Sequence, residues 1–179
     1  MRSYGQYCAL AKALEVILWL ANANPDIDIY HVVKAAFYAD KYHLNKYGRP
    51  ISGDDYQADL YGPLGQCIYG LLKYEPLEML ALDSNGPLPF NLGSKWRVLP
   101  EREANSRLLS DSDVEALGYG LEQVRDKSFD DLVRMTHDEP AYIEANGGRM
   151  KYEDLLNEDD PHREERAADL AETARNTVF

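Results

Sequence analysis

Long apolar runs, basic blocks and paired cysteines are what this chain has least of. Its longest apolar stretch, Val16 to Ala21, follows Lys12 and Glu15 and ends at Asn22. A bilayer span needs about 18–20 apolar residues, so no membrane-spanning helix is predicted. Met1-Arg2 leads into tyrosines rather than an apolar core, which argues against a secretory leader and predicts a cytoplasmic protein. The two cysteines, Cys8 and Cys67, stand far apart among apolar residues. Free buried cysteine behaves as a small hydrophobe, and a disulfide is not expected in the cytoplasm. Neither a Cys-x-x-Cys nor a His-x-x-x-His spacing is present, so no zinc site is predicted. No run of five or more Lys and Arg occurs, and 19 basic groups face 31 acidic ones, for a net charge of −12. Nucleic-acid affinity rests on cations that replace counterions along phosphates, so direct DNA or RNA binding is not expected. A Gly-x-Ser-x-Gly elbow and a phosphate-binding loop are also missing.

What remains is an ordinary globular composition, 45% hydrophobic and 28% charged in 179 residues, which suits one domain without a disulfide or metal staple. The charge is uneven. Residues 1–50 are net +2, residues 51–150 net −9 and residues 151–179 net −5. Such a surface suits a basic protein partner, because opposite potentials steer encounter. The plainer reading is that it keeps the protein in solution.

Apolar groups at Tyr7, Leu10, Leu14, Ile17, Leu18 and Ala21 follow helical spacing and predict a helix over residues 4–22. Asp28 is a natural N-cap for a second helix, which carries Val33, Phe37, Leu44 and Tyr47 and stops at Gly48 before Arg49-Pro50. Tyr56, Ala58 and Leu60 alternate with polar residues and predict a short strand. Gly62-Pro63 then predicts a helix start, and that helix carries Leu64, Cys67, Ile68, Leu71 and Leu72. Residues 83–95 form an exposed connection with a hairpin tip around Gly93, followed by a strand at Trp96–Leu99 that pairs with Tyr56–Leu60. Ser110 caps a helix over 111–125, with Glu115 just beyond the capping-box position. Ser128 caps Phe129–His137, and Asp138-Glu139-Pro140 stops it. One helical turn is expected in 151–157, and a charged, weakly apolar helix from Pro161 to about Arg175. The fold class is therefore mainly α (α+β): a single helical domain with a small antiparallel sheet.

The candidate chemistry is sparse. His31 and His43 lie twelve apart on one helix, about 18 Å, too far to share a metal. His137-Asp138-Glu139 reads as a helix end with solvated acids. Gly118-x-Gly120 lies in mid-helix and reads as a packing feature. Asp40 and His43 share a helix face, which allows an acid–base pair or a plain hydrogen bond. Thirteen tyrosines suit either core packing or an interface, where a ring buries area and a hydroxyl keeps a partner. No cofactor or metal is expected, and the chain does not read as an enzyme.

The block Lys34-Ala-Ala-Phe37-Tyr38-Ala39-Asp40-Lys-Tyr-His43-Leu44-Asn-Lys-Tyr47-Gly48-Arg49-Pro50-Ile51-Ser-Gly53-Asp54, followed by Tyr61-Gly62-Pro63, resembles the Panacea domain of SocA-type antitoxins, which also occurs in phage-associated proteins. Leu109-Ser110-Asp-Ser-Asp113 and Thr136-His137-Asp138-Glu139-Pro140-Ala-Tyr142 add to it, with Tyr142 where the family suggests tryptophan. The resemblance covers about residues 10–145 and divides the chain into a Panacea domain at 1–150 and an acidic extension at 151–179. It implies an antitoxin that neutralises a cognate protein toxin, either by direct binding or as an adaptor delivering it to a AAA+ protease. It brings no catalytic residues. It points to Tyr38, Asp40, His43, Arg49, Asp54 and Tyr61 as partner-binding residues, against a structural reading in which the same segment fixes turns. Two alternatives stay open: a phage or mobile-element regulatory protein that binds another host protein, and an enzyme built on Asp40, His43 and His137.

Overall fold

A computed structural model describes residues 9–75 and 87–176. Its organising element is α2 (Ile29–Tyr47), preceded by α1 (Leu10–Ala23). Asp28 accepts the His31 N–H at 2.9 Å and Gly48 closes the helix in the left-handed conformation, as expected. The rest comprises β1 (Tyr56–Asp59), β2 (Gly62–Gly65), α3 (Gln66–Leu72), β3 (Phe90–Leu92), β4 (Val98–Pro100), α4 (Asp111–Val124), α5 (Phe129–His137), α6 (Pro140–Ala145) and α7 (Arg163–Asn176). Single 3-10 turns occupy Ser94–Trp96 and Tyr152–Leu155. The fold is mainly α, as the sequence predicts, but its strands form two small sheets rather than one.

Val32, Val33, Ala35, Ala36, Phe37, Ala39 and Leu44 of α2 are buried, so this helix is covered along most of its length. Its small residues let α4 approach closely. At Gly120 an added Cβ would lie 2.2 Å from the Ala35 carbonyl oxygen and 3.0 Å from the Ala39 Cβ. The Gly118-x-Gly120 feature is thus a packing device at Gly120, whereas Gly118 faces open space.

The expected pairing of Tyr56–Leu60 with Trp96–Leu99 does not form. Each strand takes its neighbour in the chain instead: β1 pairs with β2, Asp59 opposite Gly62, and β3 pairs with β4. Short loops close at less entropic cost than long ones, and Leu60-Tyr61 is a two-residue connection. The helix expected at Gly62-Pro63 therefore starts later, at Gln66. Among the described residues Pro63 sits in a strand that pairs only with β1, where a missing N–H is tolerated. Trp96 lies in the turn between β3 and β4, closed by the Gly93 N–H on the Arg97 carbonyl at 2.8 Å, so the tip expected around Gly93 is present.

Ser110 and Ser128 cap α4 and α5 through complete capping boxes, whose return partners are Asp113 and Asp131. Glu115 has another role: it accepts the Tyr42 and Tyr47 hydroxyls at 2.5 and 2.6 Å. Pro140 ends α5 and also opens α6 as its first residue, an element not expected from the sequence. Packing continues past residue 150, since Tyr152, Leu155 and Leu156 are buried in the one core. The charged α7 docks there too. Arg166 Nη2 donates to the Leu44 and Asn45 carbonyls in the last turn of α2 at 2.6 and 2.9 Å, adding to the Gly48 N–H that Leu44 already accepts, and Leu170 is buried. Cys67 is a half-buried free thiol on α3. Cys8, Tyr7 and the predicted start of the first helix lie outside the described residues, as do residues 83–86 of the predicted connection.

The two α4 glycines give a paired test. Gly120→Ala drives a methyl into the α2 backbone and is expected to lose about 1–3 kcal/mol or more, roughly 2–4 °C in Tm per kcal/mol for a chain of this size. Gly118→Ala is expected to gain up to about 1 kcal/mol through helix propensity. Thermal melts of equal Tm would contradict the close α2–α4 approach.

Candidate functional site

Two polar constructions lie on either side of β1 and β2. The first is interior. Asp40, on α2, accepts the Ile51 N–H at 2.7 Å and the Tyr56 hydroxyl at 2.9 Å. Asp54 accepts the Asp55, Cys67 and Ile68 N–H groups at 2.7, 2.8 and 3.0 Å. It thereby satisfies the orphan donors at the start of α3, a task usually done by the capping residue itself. The Tyr152 hydroxyl donates to the Asp54 carbonyl at 2.9 Å. Burial pushes both carboxyls up to about 6, against the opposing pull of the N–H groups they accept.

His43 extends this interior network. Its Nδ1 lies 2.7 Å from the Arg49 carbonyl and its Nε2 3.0 Å from the Ser112 hydroxyl. A carbonyl only accepts, so Nδ1 carries a proton, and in the neutral ring Nε2 accepts from Ser112; Asp113 Oδ1 lies 3.3 Å from the same Nε2. Burial lowers the imidazole pKa, in keeping with that neutral form. Asp113 completes the network as partner to Lys12 and Arg49 at 2.7 and 3.2 Å. Burial raises its carboxyl, but Lys12 and Ser110 outweigh burial and hold it below the ordinary range.

The second construction holds the turn between β1 and β2. Tyr142 and Tyr30 donate their hydroxyls to the Asp59 and Tyr61 carbonyls at 2.8 and 2.9 Å. His137 Nε2 donates to the Leu60 carbonyl at 3.1 Å, and Lys34 Nζ to the Pro63 carbonyl at 2.7 Å. Four side chains thus grip the main chain of one tight turn. His137 stacks on Tyr142 with centroids 4.6 Å apart. Lys34 is buried beneath the turn and over the Tyr30 ring, and burial lowers its ammonium pKa to about 7 although Asp59 opposes this. Gly62 is required twice over: its φ is +95°, and a Cβ there would fall 2.2 Å from the Thr136 Oγ1.

Because these bonds end on carbonyls, the side chains of the tip point away from the fold. Leu60 is 71% exposed and Tyr61 50%, with Phe129 (44%) and Ile143 (62%) on the adjoining helices. Phe129 contacts the rings of Tyr61 and Tyr30 at centroid distances of 5.4 and 4.4 Å. Exposed aromatics and leucines grouped in this way mark an interaction surface more often than scattered ones do.

The interior loop and the turn are built from the very blocks that carry the sequence resemblance, and a family model described as antitoxin SocA-like, Panacea domain matches residues 32–142. The chain belongs to the SocA-like Panacea domain family. No curated protein and no solved structure matches it significantly.

Within this Panacea domain the expected partner-binding residues divide. Tyr38, Asp40, His43 and Asp54 are buried in this fold. Asp40, His43 and Asp54 bond to the chain itself. Tyr38 packs on Phe37 at 5.3 Å, and burial with the neighbouring Glu139 raises its hydroxyl pKa. Arg49 is partly exposed, its guanidinium shared between Asp113 and the Pro50 carbonyl. Tyr61 alone among the six belongs to the exposed tip. Asp40, His43 and His137, the residues of the enzyme alternative, share no hydrogen bond, and His137 belongs to the turn. Among the described residues no group of three or more His, Cys, Asp or Glu is placed to hold a metal ion. Leu60, Phe129 and Ile143 carry no binding signal in the sequence: Leu60 reads as part of a strand, and an isolated apolar residue reads as core. Lys34 did carry a signal, a cation inside the apolar run Val32–Phe37.

The buried carboxyl gives a pH test. In the unfolded chain Asp40 returns to about 3.9. Between roughly pH 4 and 6 the folded state therefore holds more protons, and the stability Asp40 contributes falls as pH rises. Asp40→Asn keeps an acceptor for the Ile51 N–H and does not titrate. The variant's stability relative to the natural chain is expected to improve by about 2 kcal/mol from pH 4 to pH 6, read from denaturant melts. A difference independent of pH would contradict the raised pKa.

Proposed function

We propose that this protein is an antitoxin that neutralises a cognate protein toxin by direct binding in the cytoplasm, and that it acts by binding rather than by catalysis. Membership of the antitoxin family makes a protein partner the natural ligand. The observation that carries the reading is the turn between β1 and β2. Four interior or half-buried side chains fix its main chain, and none of these hydrogen bonds engages the side chain of Leu60 or Tyr61. Rigid presentation of apolar side chains reduces the ordering cost of association. Among the described residues no helix is long and apolar enough to cross a membrane, so nothing there competes with a role in solution. Delivery of the toxin to a AAA+ protease is a second mode compatible with the same surface.

The test is co-expression with the product of the adjacent gene. Growth arrest caused by that product alone is expected to be relieved by this chain, and the two are expected to co-purify. Arrest that persists at full expression of the folded chain, with no complex recovered, overturns the antitoxin role. Relief that vanishes in a strain lacking its AAA+ proteases favours delivery over direct masking.

A further inference from the structure

The exposed tip has a rim. Asp59 precedes Leu60, Asp130 follows Phe129, Glu144 follows Ile143 and Asp138 follows His137, and all four acids are exposed. Asp126 is exposed as well, just before α5. Against them stand the exposed cations Arg125, Lys127 and Arg134, of which Arg125 is already paired with Glu122 and Arg134 with Asp131. Leu60, Tyr61 and Phe129 therefore form an exposed apolar patch whose own segments, with Ile143 on α6, carry more exposed acids than cations, and interfaces commonly set an apolar core against such polar surroundings.

The geometry points to a partner segment with an apolar edge flanked by Lys or Arg: its apolar side chains seat on Leu60, Tyr61 and Phe129 while its cations meet the acidic rim. This rests on the binding role proposed above and names the chemistry of the partner. The rim decides against the other occupants. A nucleic acid or an anionic membrane would bring negative charge onto negative charge. A second copy docked tip to tip would do the same, because a two-fold interface sets each patch against itself. A basic segment removes that repulsion, and buried apolar contact then holds it while the charges speed its arrival.

The test uses the full chain and two synthetic amphipathic helices of equal length, one of Leu and Lys and one of Leu and Glu. The Leu/Lys helix is expected to bind, more weakly as salt rises, and the Leu/Glu helix is not. Leu60→Ser is expected to weaken binding about fivefold or more. The triple change Asp59→Asn, Asp130→Asn, Glu144→Gln is expected to weaken it about tenfold at low salt and to flatten the salt dependence. The triple change Asp159→Asn, Glu164→Gln, Glu172→Gln removes equal charge elsewhere and is expected to stay within twofold of the natural chain. Equal weakening by the two triple variants, an unaffected Leu60→Ser, equal binding of both helices, or a dimer that Leu60→Ser converts to monomer would each overturn the proposal. The growth assay separates this from the broader role. Relief by the natural chain that Leu60→Ser abolishes supports the surface, whereas relief by every variant overturns the surface and leaves the antitoxin role standing. No relief by the natural chain overturns the role, with the helix measurements still deciding the surface.

Discussion

Two buried carboxylates without an ion-pair partner among the described residues set the geometry on which the rest depends. A buried charge is tolerated only where donors surround it, and here most donors are main-chain N–H groups, of the loops at Ile51 and Asp55 and of the open first turn of α3. Asp40 fixes the loop after α2 at Ile51, and Asp54 fixes the first turn of α3 at Cys67 and Ile68. Tyr56 and Tyr152 close the network from β1 and from the turn beyond residue 150. Main-chain groups are fixed in number and direction, so these bonds specify the path of the loop more narrowly than apolar contact would. Their cost is desolvation, which is visible in the raised pKa of both carboxyls.

That anchoring passes to the turn between β1 and β2 through the strands. β1 begins at Tyr56, whose hydroxyl is bound to Asp40 and whose carbonyl accepts the Met150 N–H. The far end of the hairpin is then gripped by Tyr30, Lys34, His137 and Tyr142. One end of the hairpin is thus set by the interior network and the other by side chains from α2, α5 and α6. The sequence block at 136–142 lies tens of residues beyond those at 34–54 and 61–63 in the chain, and this hairpin is where they meet.

The helices were legible because their signals are local. Asp28, Ser110 and Ser128 mark starts, Gly48 marks a stop, and apolar spacing marks the buried faces of α1 and α2. The strands were not. Pro63 after Gly62 carries the signature of a helix start, and the choice of strand depends on pairing with residues 56–59 and on Asp54 capping α3 from outside, neither of which is local. Pro140 was misread in the opposite sense, as a stop alone, because a proline that ends one helix and opens the next looks the same in sequence. The site followed a similar division. Polar residues in a loop-rich block suggest a surface, yet Asp40, His43 and Asp54 turn inward because the loop itself needs acceptors and donors there. Periodicity assigns apolar residues to a core and cannot say which of them the fold leaves uncovered, so Leu60, Phe129 and Ile143 emerged only from the packing.

The residues of the hairpin divide into those that hold it and those that it presents. The residues that hold the hairpin do so through main-chain carbonyls of Asp59, Leu60, Tyr61 and Pro63, and every residue type supplies a carbonyl. The identity of the side chains at positions 60 and 61 is therefore free of the scaffold's hydrogen bonding. Gly62 is not free, since Thr136 occupies the space a side chain would need, and Lys34 must reach the turn from beneath. A scaffold fixed in this way can change what it presents without changing how it presents it. The same separation explains why a tip carrying exposed leucine, tyrosine and phenylalanine is compatible with an acidic chain in solution. The exposed acids carried by the same segments set like charge against a second copy brought tip to tip, which opposes association through the apolar side chains.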